Sequence, residues 1–328
     1  MSGVEHIQVA PEDAGLRLDR WFKRHYPGLG YGAVSKMLRK GQIRLDGARA
    51  KPGDRIEAGQ TVRVPPVGAE AKQPGKRGQP AGLSQQDIET VRGWVVYEDA
   101  AVIALNKPPG IPSQGGSGVT RHVDGLLAGL KNRPDDPVPR LVHRLDKDTS
   151  GVLCVARTAN AAAVLSKSLH SRSARKLYWA LAVGVPDPRA GTITASLAKR
   201  GGKGGERMEA AEDGQKARTR YAVLERAGRE AAWLAMEPLT GRTHQLRAHA
   251  AIIGHPIVGD GKYGGRDAFL GGAISRKLHL HARRIALPHP DGGWVDVTAP
   301  LPRHMQDSWT TFGWPLASTA DPFAEAAN

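Results

Sequence analysis

Apolar positions along the chain fall into two regions separated by a stretch that has almost none. In the first, Leu16, Leu18, Trp21 and Phe22 recur at helical spacing among Arg17, Arg20, Lys23 and Arg24, and Pro27-Gly28 ends the run. A second helix is predicted over residues 31–39, apolar at Val34, Met37 and Leu38 and stopped at Gly41. Short strands over residues 42–45 and 61–64, with Asp46-Gly47 and Pro52-Gly53 turns, complete a small α/β module within residues 1–65. Residues 66–87 contain Pro66, Pro74, Pro80, several glycines, Lys72, Lys76 and Arg77, a composition that predicts a flexible basic linker.

The second region, residues 88–305, reads as a larger domain. Strand-like runs cover residues 94–99, 101–105, 152–156, 177–183, 217–224, 231–236, 277–286 and 295–297. Helical patterns cover residues 122–130 and 160–169, the latter packing through Ala163, Leu165 and Leu169. Residues 199–216, basic at the start and acidic at Glu209, Glu212 and Asp213, read as an exposed loop. Residues 306–328 read as a tail, because from Pro315 onward alanine, proline and small polar residues give little to pack.

A chain of 328 residues with 40% hydrophobic content can fill such cores, and its net charge of +15 favours a polyanionic partner. The single cysteine, Cys154, excludes an internal disulfide and sits in an apolar run, as a buried hydrophobe would. The N-terminus lacks the basic start and apolar run of a signal peptide, and no stretch has 18 consecutive apolar residues, so a cytoplasmic location and no membrane are expected.

Two clusters concentrate polar chemistry. In the first, Leu141-Val142 leads into His143-Arg144-Leu145-Asp146-Lys147-Asp148-Thr149-Ser150-Gly151 and then an apolar strand, a tight loop delivering side chains beside a sheet. The same pattern is compatible with a structural turn whose aspartates accept backbone N–H groups. The second, Gly241-Arg242-Thr243-His244-Gln245-Leu246-Arg247-Ala248-His249, allows a phosphate site, a histidine pair or a helix start. His244 and His249, five apart, do not share a helix face, and neither they nor His255, His279 and His281 come with a carboxylate motif, so no metal is expected. Arg172, Arg175 and Lys176 precede the aromatic Tyr178-Trp179, a combination suited to unstacked bases. Lys36, Arg39 and Lys40 share a helical face near Arg44 and Arg49, suited either to RNA phosphates or to solvent.

The run His143-Arg144-Leu145-Asp146-Lys147-Asp148-Thr149-Ser150-Gly151 resembles the signature loop of the RluA-type family of RNA pseudouridine synthases. Asn106-Lys107-Pro108, Lys176-Leu177-Tyr178, the Gly241 to His249 run and Gly254-His255-Pro256-Ile257-Val258-Gly259-Asp260 are similar to its other motifs, and residues 15–65 resemble the S4-type RNA-binding module. The resemblance implies an α+β fold with a mixed, mainly antiparallel central sheet behind a small S4-like module. It implies isomerisation of uridine to pseudouridine without a cofactor, on structured RNA whose target base is flipped into the site. Asp146 would be the catalytic aspartate, Tyr178 would pack against the base and could take part in its deprotonation, and Arg247 would pair with Asp146. Attack on C1′, attack on C6 and a glycal route all fit this set of residues. Arg144 would fill the vacancy left by the flipped base, Leu246 would wall the pocket, and Lys176 with Lys36, Arg39, Lys40 and Arg44 would contact RNA. The Gly115-Gly116-Ser117-Gly118 loop is closest to the branch that modifies large-subunit (23S) ribosomal RNA, and a monomer is expected. Transfer RNA as substrate, a binding-only ribosomal protein, and a hydrolase using His143 or His244 as base are the alternatives.

Overall fold

The computed structural model describes residues 3–68, 71, 83–116, 119–171, 173–201 and 207–324. The chain forms two compact units, residues 1–82 and 83–328. Lys72, Lys76, Arg77, Ser117, Gly118 and Arg172, on which sequence expectations fall, lie outside the described residues, as does most of the glycine-rich 201–205 segment.

In the first unit, helices α1 (Leu18–His25) and α2 (Tyr31–Arg39) accompany a four-stranded antiparallel sheet of order β1-β4-β2-β3. Its strands are β1 (Glu5–Gln8), β2 (Arg44–Leu45), β3 (Ala48–Arg49) and β4 (Thr61–Val64). The α1 stripe of Leu18, Trp21 and Phe22 is fully buried with Tyr26, Ile43, Ile56 and Val62, which is why these positions recur at helical spacing. Asp46 and Gly47 both take positive φ, 48° and 77°, the geometry that a two-residue hairpin requires. Strand β1 has no counterpart in the sequence reading, since four residues with the single large apolar Ile7 are too short to show a period. Ala71 is buried in this unit's core, so the segment read as a linker contributes to packing there.

The second unit is built on an 11-stranded sheet. Its main path runs β11-β10-β12-β13-β9-β14-β8-β6-β5, with β15 beside β14 and β7 beside β8. In chain order the strands are β5 (Val95–Glu98), β6 (Val102–Lys107), β7 (Arg140–Leu141), β8 (Ser150–Ala156), β9 (Arg175–Val183) and β10 (Ala190–Arg200). They continue with β11 (Arg207–Ala210), β12 (Gln215–Ala227), β13 (Ala231–Pro238), β14 (Leu280–Pro288) and β15 (Trp294–Thr298). Pairing is antiparallel except between β14 and β8, so the sheet is mixed and mainly antiparallel. Every residue of β8 is buried, which accounts for its unbroken small and apolar sequence.

Helices α3 (Gln85–Arg92), α4 (Val123–Leu126), α5 (Ala159–His170), α6 (Gln245–Ile252) and α7 (Arg303–Thr311) complete the unit. Ser84 and Thr158 cap α3 and α5, accepting the N–H groups of Asp87 and Ala161. Residues 83–87, assigned to the linker from sequence, therefore start the second unit. Two further expectations are corrected. Within the span 199–216, read as a loop, Lys199 and Arg200 end β10, Arg207–Ala210 form β11 and Gln215 and Lys216 begin β12, while residues 202–206 lie outside the described residues. Residues 306–324 are not a loose tail, because α7 buries Trp309, and Trp314 and Phe323 join it against Trp233 and Trp179. A few aromatic anchors decide this region, and average composition hides them. Among the described residues no helix is long and apolar enough to cross a membrane.

Candidate active site

Asp146 lies in the connection from β7 to β8, and its neighbours on both sides are pinned by backbone contacts. Ser113 Oγ accepts the Leu145 N–H at 3.0 Å and donates to the Leu145 carbonyl at 2.7 Å. On the other side, the Lys147 carbonyl accepts from the Gly110 N–H at 2.9 Å and from Lys107 Nζ at 3.1 Å. The fully buried Lys107 ammonium also donates to the carbonyls of Pro108 and Ile111, both at 2.9 Å. Burial pulls its pKa down to about 8, opposed by the negative charges of Asp148 and Asp146. Sequence reasoning places Lys107 within a motif and gives it no role. The signal for one was a lysine closing a run that is apolar from Val102 to Leu105, just before Pro108-Pro109.

Gly151 explains why the loop must end in glycine. Its φ is +108°, and a Cβ there would lie 2.2 Å from the Ala282 carbonyl oxygen. This close approach joins the loop's exit to the one parallel contact of the sheet, where Gly151 pairs with Ala282 and Ser150 with His281. His143 turns inward, its Nε2 accepting the Cys154 N–H at 2.9 Å. Desolvation lowers its pKa to about 3, with the Lys176 charge adding to the effect. With its lone pair occupied, His143 is unsuited to the base role that the hydrolase alternative gave it.

Tyr178, half-buried on β9, pairs with Met236 on β13 and Ala282 on β14. Burial, reinforced by the Asp146 charge, raises the phenol's pKa, so the hydroxyl stays protonated and offers a neutral face. Asp146 keeps 31% of its side chain exposed, enough for a substrate to reach the carboxylate, and His244 Nε2 stands 3.9 Å from its Oδ2.

Arg247 differs from expectation. Its Nε and Nη2 donate to the two carboxylate oxygens of the buried Asp260 at 2.8 and 2.7 Å, and no hydrogen bond joins it to Asp146 among the described residues. Burial opposes its charge, yet hydrogen bonds and charge from Asp260, with Asp146 adding, raise its pKa. Arg247 thus contributes field to Asp146, while its planar fork is matched to the other carboxylate. The structure brings Asp146, Tyr178, Arg247 and His244 into one electrostatic neighbourhood.

The expected RNA contacts divide. Arg144 is exposed beside Asp146, and Lys36, Arg39, Lys40 and Arg44 are exposed in the first unit. Arg44 also donates to the Gly41 and Gly47 carbonyls, bracing the β2–β3 turn. Lys176, by contrast, donates to the Leu169 carbonyl at the end of α5, and Arg175 pairs with Glu237 and Asp321. Both cations are occupied inside the fold, which charge clustering in a sequence cannot reveal. Leu246 is buried in the cluster with Ala180, Met236 and Ile257. The remaining histidines read for metal are bound to protein partners: His249 to Thr219, His255 to the Val183 carbonyl, His279 to Ser308 and His281 to Ser150.

A bracketed, reachable carboxylate beside a neutral tyrosine and fixed cations is suited to covalent or base chemistry on a bound polar ring. Residues 101–251 match the family described as RNA pseudouridylate synthase. The chain is 34% identical over 310 residues to ribosomal large subunit pseudouridine synthase C of Vibrio cholerae, covering 94% of this chain and 96% of that protein. It is 34% identical over 305 residues to the protein of the same name from Escherichia coli strain K12, covering 91% and 93%. The solved structure of human RNA pseudouridylate synthase domain containing 4 is similar with a TM-score of 0.59 at 26% identity, over 69% of this chain and 95% of that one. The chain belongs to the RNA pseudouridine synthase family. It is an isomerase that converts uridine in RNA to pseudouridine, so the binding-only alternative falls.

Proposed function

We propose that this chain modifies uridines of large-subunit ribosomal RNA, with Asp146 as the reacting carboxylate, working as a single chain in the cytoplasm. The observation that carries the site reading is the bracketing of Asp146 by Ser113 and Lys107, which holds an accessible carboxylate beside Tyr178. The near full-length likeness to large-subunit synthases supports the substrate.

The target uridine leaves its stack, and Arg144, exposed two residues from Asp146, would occupy the gap. Asp146 then drives cleavage of the N1–C1′ bond, the freed uracil turns in the pocket against Tyr178, C5 bonds to C1′, and C5 loses its proton while N1 takes one up. Atoms are conserved between uridine and pseudouridine. The protonated Tyr178 packs on the base and is poorly disposed to remove that proton unaided. The S4-like first unit, through Lys36, Arg39 and Lys40, grips phosphates while the second unit acts on the base.

Pseudouridine mapping across cellular RNAs of a strain lacking this protein, complemented with wild type or Asp146→Asn, tests the assignment. Large-subunit sites that vanish and return only with wild type are expected. Sites confined to transfer RNA would replace the substrate, and restoration by Asp146→Asn would remove Asp146 from its role.

A further inference from the structure

A tyrosine that the sequence reading left without a chemical role connects strand β11 to the Asp146 site. The hydroxyl of the buried Tyr263 accepts the backbone N–H of Met208 on β11 at 2.9 Å and lies 3.0 Å from His244 Nδ1. Its ring is flanked by the guanidinium groups of Arg207 and Arg247, at 5.3 and 5.2 Å from the ring centroid. With the Met208 N–H already donating to the phenolic oxygen, the phenol's own hydrogen is free to point at Nδ1. A neutral imidazole carries one donor and one acceptor nitrogen, so an accepting Nδ1 leaves the proton on Nε2. Nε2 is the atom 3.9 Å from Asp146 Oδ2.

Two further observations support this assignment. His244 has a φ of 51°, left-handed backbone at a residue with a Cβ, so its placement at the start of α6 is held by the surrounding structure. The imidazole is also kept neutral: burial lowers its pKa, Arg247 and Lys262 add to the lowering, and Asp146 and Asp260 only partly oppose it.

We propose that Tyr263 is a positioning residue that fixes His244 in its Nε2–H tautomer, so that a directed N–H faces the Asp146 carboxylate. The inference rests on reading Asp146 as the reacting group. An N–H donor favours the ionised carboxylate and restricts its rotation, and closing about 1 Å would turn the present separation into a hydrogen bond. The other tautomer would set a lone pair against the anion.

The test uses the full chain labelled with ¹⁵N-histidine, with the His244 signals assigned by their loss in His244→Gln. Long-range ¹⁵N correlation is expected to show the Nε2–H pattern for His244 in wild type and a mixed pattern in Tyr263→Phe. Single-turnover pseudouridine formation in Tyr263→Phe should fall on the order of tenfold, the scale seen when a partner orienting a functional histidine is lost, with RNA affinity unchanged. A carboxamide side chain cannot tautomerise as an imidazole does, so in the His244→Gln background the Tyr263→Phe change should cost no further rate. An unchanged tautomer and rate in Tyr263→Phe, or an equal loss in both backgrounds, overturns the proposal. Full activity of Asp146→Asn would instead overturn the site reading itself, whatever Tyr263 does.

Discussion

At the scale of single residues, the site depends on backbone groups more than on a ring of charged side chains. Lys107 illustrates this: a buried ammonium is costly unless its hydrogens are bonded, and here carbonyls from both sides of the loop receive them. Lys107→Met keeps the length, removes the ammonium donor from the Pro108 and Ile111 carbonyls and leaves the Lys147 carbonyl with the Gly110 N–H alone. It is expected to lower stability by roughly 2–3 kcal/mol in urea unfolding, with a parallel loss of activity. An unchanged midpoint would show that the loop holds itself. Asp146 stands out in the sequence because a long run of consecutive residues around it resembles a known pattern. The partner of Arg247 was not legible, since both Asp146 and Asp260 are carboxylates and only the placement of α6 selects Asp260. Lys176 and Arg175 misled for the same reason: a cation's partner is a property of the folded chain.

Among the elements, helices with a clear apolar stripe and a stop signal were readable, as α2 shows by spanning Tyr31–Arg39 before Gly41. Strands that bury few residues were harder. β10 is mostly exposed, with Ile193 and Leu197 its two buried residues, and β11 is short, so neither has a strong signature before pairing. Helix α7 was lost to averaging over a segment rich in small residues, although Trp309 is fully buried among Trp233, Trp314 and Met305. Trp309→Ala should therefore cost about 3–5 kcal/mol, as for truncation of a buried aromatic in a packed core. A loss below about 1 kcal/mol by chemical denaturation would return residues 306–324 to the status of a tail.

For the whole molecule, charge and buried histidines set the response to solution conditions. The +15 chain should bind RNA with a steep dependence on salt, and Lys36→Ala or Arg39→Ala should each reduce the slope of log K against log salt by about 1. Equal slopes would mean that the α2 face is merely solvated. Burial lowers the pKa values of His143 and His281 to about 3 and those of His249 and His279 to about 4, all below the unfolded value near 6.5. As pH falls from about 6.5 toward 4, the unfolded chain takes up protons that the native state refuses, so stability present at neutral pH is progressively lost. The urea midpoint is expected to be clearly lower at about pH 5 than at about pH 7, and equal midpoints would contradict the buried neutral histidines.

If Asp146 carries the chemistry, release of the C5 hydrogen reads it directly. Large-subunit RNA labelled with tritium at uridine C5 would be incubated with wild type and with Asp146→Asn, and RNA affinity measured alongside. The expected result is tritium release by wild type, none by Asp146→Asn, and equal binding by both. Release at the wild-type rate from Asp146→Asn would contradict the account.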